Sequence, residues 1–181
     1  MGNRQPVAAW NTWDINAYSQ MTGLSPAQIQ QLYVLFQQQS ASTGGRMTLN
    51  EFKAIYASIA GLSWTFNADA ERVFLMFDAD GNGVLSFEEF LMAYLMLQRG
   101  VTPIQRWSYA ANYYPLTQPG YLSAQEAQLL FNNMQQFYNI PVQNTYFTQA
   151  WSQLGGGVNG YVPVTSFVQA VVPLIPQTYI W

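Results

Sequence analysis

Residues 78–89 read DADGNGVLSFEE. Counted from Asp78, oxygen-bearing side chains stand at positions 1, 3, 5, 9 and 12: Asp78, Asp80, Asn82, Ser86 and Glu89. Position 7 is Val84, which offers a backbone carbonyl, and position 6 is Gly83, where a sharp turn needs a residue free to take positive φ. Calcium is a hard cation that gathers such oxygens at about 2.3–2.6 Å, with the last glutamate giving two of them. Ser86 is expected to act through a water, and Leu85 at position 8 to form a short strand against a neighbouring loop. A plain turn uses Asp, Asn and Gly too, but needs only two or three of them. Twelve consecutive positions in register, flanked by Phe77 and Phe90, exceed what a turn requires. Glu88, at position 11, is read as a solvated surface charge.

The same signature recurs along the chain. Gly45, Gly83, Gly120 and Gly160 are spaced 38, 37 and 40 residues apart, and each is followed two residues later by Met47, Leu85, Leu122 or Val162. Apolar residues at helical spacing predict helices entering these loops over 26–39, 68–77, 103–114 and 143–154. Ser25 and Pro26 form the start of the first. Exit helices are expected over Glu51–Ile59, Phe87–Gln98, Ala124–Tyr138 and Val164–Val172. The resulting fold class is all-α, with four helix–loop–helix units in two paired lobes, residues 1–100 and 101–181. Short two-stranded β contacts join the first loop to the second and the third to the fourth.

Three of the four loops lack the ligands. Residues 40–51 carry Ser40, Ser42 and Gly44 at positions 1, 3 and 5, although Glu51 remains at position 12. Residues 115–126 carry Pro115, Thr117 and Pro119 there, with Glu126 at position 12. Residues 155–166 carry Gly155, Gly157 and Asn159, and Ser166 replaces the glutamate. One carboxylate with a pair of hydroxyls does not offset the dehydration of a dication. These three loops are expected to be structural, leaving one calcium ion per chain.

Composition narrows the function. Charged residues make up 8% of the chain, against roughly 25% in an ordinary soluble domain. Such a surface is weakly repulsive and favours association. The net charge of −3 leaves no basic footprint for nucleic acid. Histidine and cysteine are both absent, which removes histidine-based triads, the commonest zinc ligand and any disulfide framework. No nucleophile–base pair, phosphate loop or cofactor motif is found, so the chain is not read as an enzyme. Met1 to Trp10 shows no signal-peptide core. The longest apolar run, Phe90 to Leu97, falls far short of the ~20 residues of a transmembrane helix.

The chain resembles the EF-hand superfamily, and within it the neuronal calcium sensor, recoverin and potassium-channel-interacting proteins. The resemblance rests on Met1-Gly2-Asn3, Gly45-Arg46-Met47-Thr48, the 78–89 loop, Arg99-Gly100, Gly120-Tyr121-Leu122-Ser123 and Gly160. It implies four EF-hand units, a silent first loop, a calcium-binding second loop, an apolar groove for target proteins, a cytoplasmic location and, in many members, an N-terminal myristoyl group. The chain departs from that pattern at Pro115 and Pro119, in its few charges, and at Pro6, where the acylation pattern wants Ser or Thr.

Two functions follow. The first is a calcium-responsive protein-binding module, in which Glu89 draws its helix toward the ion and uncovers Phe36, Met76, Phe90, Met92 and Met96. The alternative is an accessory subunit of a larger protein assembly whose single calcium only stabilises the fold. A metal-independent C-terminal core is expected from Trp107, Tyr109, Leu122, Phe131, Phe147, Trp151, Val162 and Phe167. The apolar tail, VQAVVPLIPQTYIW over 168–181, is broken by Pro173 and Pro176 and is expected to run partly extended and to pack, either in the chain's own groove or against a protein partner, with the partner favoured.

Overall fold

The computed structural model describes residues 15–59, 67–78, 80–98, 100–114, 116–157 and 159–180. Gly2, Pro6, Arg99, Pro115 and Trp181 lie outside these. The chain divides into two compact units, residues 1–100 and 101–181.

Capping chemistry sets the helix limits. Ser25 closes the start of α2 (Pro26–Gln39) with a reciprocal pair: its hydroxyl accepts from the Gln28 amide, and the Gln28 side chain accepts from the Ser25 amide. Thr102 and Gln105 do the same for α6 (Pro103–Tyr113), again with proline at the first helical position. In α7 (Ala124–Tyr138) the pair is Ser123 and Glu126, and the helix ends at Asn139 in the left-handed region with φ 54°.

The first unit also holds α1 (Ile15–Thr22), α3 (Leu49–Ile59), α4 (Asn67–Phe77) and α5 (Phe87–Met96). Helix α1 packs on α2, α3 on α4, α4 on α5, and α2 on α5. Strands β1 (Met47–Thr48) and β2 (Val84–Leu85) pair antiparallel, Met47 opposite Leu85 and Thr48 opposite Val84. Met47 and Leu85 are both fully buried, so the ribbon is pinned to the core by the two residues that the repeat singled out. Around Phe87 the rings of Tyr18, Tyr33 and Phe36 pack edge-on at 5.7, 5.0 and 5.5 Å.

The second unit repeats the arrangement with α6, α7, α8 (Thr145–Gln153) and α9 (Val164–Val171). Strands β3 (Tyr121–Ser123) and β4 (Tyr161–Pro163) pair with Leu122 opposite Val162. Trp107, Leu122, Phe131, Trp151, Val162 and Phe167 are buried as expected, whereas Tyr109 and Phe147 are only half-buried. Phe147 still stacks on Trp151, with ring centroids 5.9 Å apart.

Four expectations change in detail. Helix α1 was not foreseen. Glu88 is half-buried rather than solvated, and accepts a hydrogen bond from the Tyr18 hydroxyl at 3.1 Å. The entering helix expected over 143–154 is shorter at both ends. The tail leaves α9 through a 3-10 turn at Val172–Leu174, becomes extended at Ile175, and buries Ile175 and Ile180. The apolar tail is thus covered by its own chain at these two residues. Among the described residues no helix is long and apolar enough to cross a membrane.

Candidate metal centre

Loop 78–89 runs from the end of α4 into the first turn of α5. Asp78 is the residue after α4, and its amide still donates to the Phe74 carbonyl at 2.8 Å. Ser86 is the N-cap of α5, and Glu89 is its third residue. The Glu89 amide donates to Ser86 Oγ at 3.3 Å, and the Ser86 amide donates to Glu89 Oε2 at 2.8 Å. Loop positions 9 and 12 are therefore also the reciprocal cap of the exit helix, which fixes the carboxylate over the loop.

The opening residues curl back by the same means. Asp78 Oδ1 accepts from the Asn82 amide at 3.0 Å and Oδ2 from the Gly83 amide at 2.9 Å. Asp80 accepts from the Asn82 amide at 3.1 Å and from its side-chain nitrogen at 2.7 Å. Asn82 Oδ1 accepts from the Val84 amide at 2.9 Å. Gly83 has φ 81°, a conformation in which any other residue is strained. The two aspartates and Asn82 are thus tied into one turn, Val84 is held in β2, and Ser86 and Glu89 cap α5.

One carboxylate oxygen from each of Asp78, Asp80 and Glu89 lies within 4.8 Å of the other two. Asp78 and Glu89 are buried. Burial pushes the Asp78 carboxyl above its usual range, the amides of Gly83 and Asn82 pull it back, and neighbouring Asp80 adds to the rise. Three convergent carboxylates, two of them away from water, repel one another until a cation stands between them. The donor set is all oxygen, which suits a hard ion such as calcium.

The other loops are closed differently. In 40–51, Ser42 Oγ donates to Glu51 Oε1 at 2.6 Å, while the amide and hydroxyl of Thr48 donate to Oε2 at 2.8 and 3.0 Å. In 115–126, the Thr117 amide donates to Glu126 Oε1 at 2.7 Å and the Ser123 amide to Oε2 at 2.8 Å. In 155–166 the Trp151 indole donates to the Gly157 carbonyl at 2.8 Å. There a Cβ on Gly160 would stand 1.8 Å from the Gly156 oxygen, so this turn admits only glycine. Reading the loops for calcium ligands alone misses these contacts. The available signal was a glutamate kept at position 12 beside a hydrogen-bond donor at position 3.

These bonds have a pH consequence. The Ser42 hydroxyl is the main reason the Glu51 carboxyl sits below its ordinary value. For Glu126, burial acts upward, but the amides of Ser123 and Thr117 outweigh it and the net shift is downward. A carboxyl lowered on folding stabilises above its unfolded value, about 4.3, and that contribution disappears as pH falls through the lower folded value. The parent chain is expected to melt above Glu126→Gln at pH 7, with the two curves converging below about pH 4. A gap that stays constant across this range would contradict it.

The family model described as EF hand domain matches residues 69–97, which covers α4 from its third residue, the 78–89 loop and α5. The segment that sequence and geometry single out is therefore an EF-hand domain, and it supports a calcium-binding protein.

Proposed function

We propose that the chain binds one calcium ion through Asp78, Asp80, Asn82, the Val84 carbonyl, Ser86 and Glu89, and acts as a calcium-responsive protein-binding module. In this reading the four helix–loop–helix segments are four EF-hand units in two pairs, and only the second holds an ion. The observation that carries it is the convergence of Asp78, Asp80 and Glu89 within a matched EF-hand domain.

The response follows from where the ligands sit. Asp78 directly follows α4 and Glu89 belongs to the first turn of α5, so an ion held by both sets the angle between these helices. Phe36, Met76, Phe90, Met92 and Met96 are all buried in the first unit, four of them on the two helices that flank the loop. A change in that angle uncovers this methionine-rich surface, which adapts to irregular partners. The accessory-subunit alternative draws support from the hydrogen bonds that close the other loops without a ligand set for calcium.

Calcium titration in the presence of an apolar-surface dye, followed by capture of partners with and without a chelator, separates these. The module predicts a rise in dye fluorescence at one equivalent of calcium and release of the partner by the chelator. Binding of calcium with no dye response and no release would leave the structural role standing and remove the responsive one.

A further inference from the structure

Positions 3 and 12 of a loop are joined in two ways in this chain. In 40–51 the joint is the hydrogen bond from Ser42 to Glu51, and in 115–126 it is the bond from the Thr117 amide to Glu126. In 78–89 position 3 is Asp80, and a carboxylate has no proton to give to Glu89. What the Ser42 hydroxyl does for Glu51 in the first loop, a cation between Asp80 and Glu89 does in the second.

We propose that Glu51 is a positioning residue for calcium: it clasps the 40–51 loop independently of metal and so holds the 78–89 loop in register for its ion. The route is short. Thr48 donates both its amide and its hydroxyl to Glu51, and the same Thr48 lies opposite Val84 in the β1–β2 ribbon. In the proposed ligand set Val84 supplies the backbone carbonyl. Next to it Met47 faces Leu85 and both are fully buried, which ties the ribbon to the core. The Glu51 carboxyl is held low, chiefly by the Ser42 hydroxyl, so it is an ionised acceptor at neutral pH. The inference rests on reading 78–89 as the calcium loop.

The test is calcium titration calorimetry on the full chain, with helicity in chelator recorded by circular dichroism. Glu51→Ala is expected to weaken calcium about tenfold, the scale seen when a residue that orients a ligand is removed. Glu51→Gln can still accept from Thr48 and donate to Ser42 Oγ, so it is expected to stay close to the parent. Glu126→Ala, whose loop belongs to the second unit, is expected to bind calcium as the parent does. An unchanged affinity in Glu51→Ala overturns the inference alone. Equal weakening in Glu51→Gln overturns it in favour of a simple charge effect, and equal weakening in Glu126→Ala overturns it in favour of general destabilisation. If Glu51→Ala loses its helicity, Ser42→Ala decides: its loss of the clasping hydroxyl must weaken calcium, and parent-like binding overturns the inference. A parent chain that binds no calcium overturns the calcium reading itself and this inference with it.

Discussion

Glu89→Gln is expected to remove calcium binding almost entirely, while leaving α5 folded. The parent chain should titrate as one site. The variant should bind more than about 100-fold more weakly, beyond the range that outer-shell partners produce. Two losses add up. The substitution removes one of three convergent carboxylate charges, and it replaces a two-oxygen ligand with one oxygen and an amide nitrogen that repels the ion. The side chain keeps its size, and its oxygen can still accept from the Ser86 amide, now received by Glu89 at 2.8 Å, so the helix keeps its cap. Far-ultraviolet circular dichroism of the two proteins in chelator should therefore superimpose. Binding within tenfold of the parent would show that the ion is held elsewhere. A parent chain with two or more sites of similar affinity would contradict the single-ion reading.

The prominence of this site in the sequence has a physical origin. A calcium loop must present oxygens at fixed offsets from one sharp turn, so its chemistry is local and is written in consecutive residues. The strand pairing was legible for a related reason. Met47, Leu85, Leu122 and Val162 stand at the same loop position, and the ribbons place Met47 opposite Leu85 and Leu122 opposite Val162. The cap at Ser25 was read from the sequence, and the same spacing, a hydroxyl residue three before Gln or Glu, turns out to cap α5, α6 and α7 at Ser86, Thr102 and Ser123.

What escaped depends on residues far apart in the chain. Helix α1 has eight residues, too few to persist on local propensity. It is held by Tyr18, which is buried against the Phe87 ring 5.7 Å away and bonded to Glu88 across 70 residues. No window of sequence contains both ends of that contact. Glu88 looked solvated for the same reason: its partner lies on a helix the periodicity did not reveal. Glu51 and Glu126 are a subtler case. Their position was noticed as a relic of a calcium ligand, and the structure gives each a hydrogen-bonding role within its own loop.

Phe131→Ala is expected to lower the stability of the second unit by about 3–5 kcal/mol, the usual cost of emptying an aromatic core position. Phe131 is fully buried on α7, with the Trp107 ring 6.0 Å away on one helix and the Phe147 ring 5.9 Å away on another. Phe147 in turn meets Trp151 and Phe167. Removing the central ring leaves a void that these large, rigid neighbours cannot close without leaving their rotamers. A domain of this size has about 5–15 kcal/mol in hand, so the loss removes a large fraction of it. The loss should also be the same with calcium and with chelator. The loops of this unit are closed by Glu126 and by the Trp151 indole, and none gathers three carboxylates among the described residues. Denaturant unfolding followed by tryptophan fluorescence reads the effect, since Trp107 lies against the Phe131 ring and Trp151 stacks on its neighbour Phe147. If calcium restored the melting of Phe131→Ala by binding within 115–126 or 155–166, the second unit would be metal-dependent and its loops would not be the structural elements that their hydrogen bonds make them.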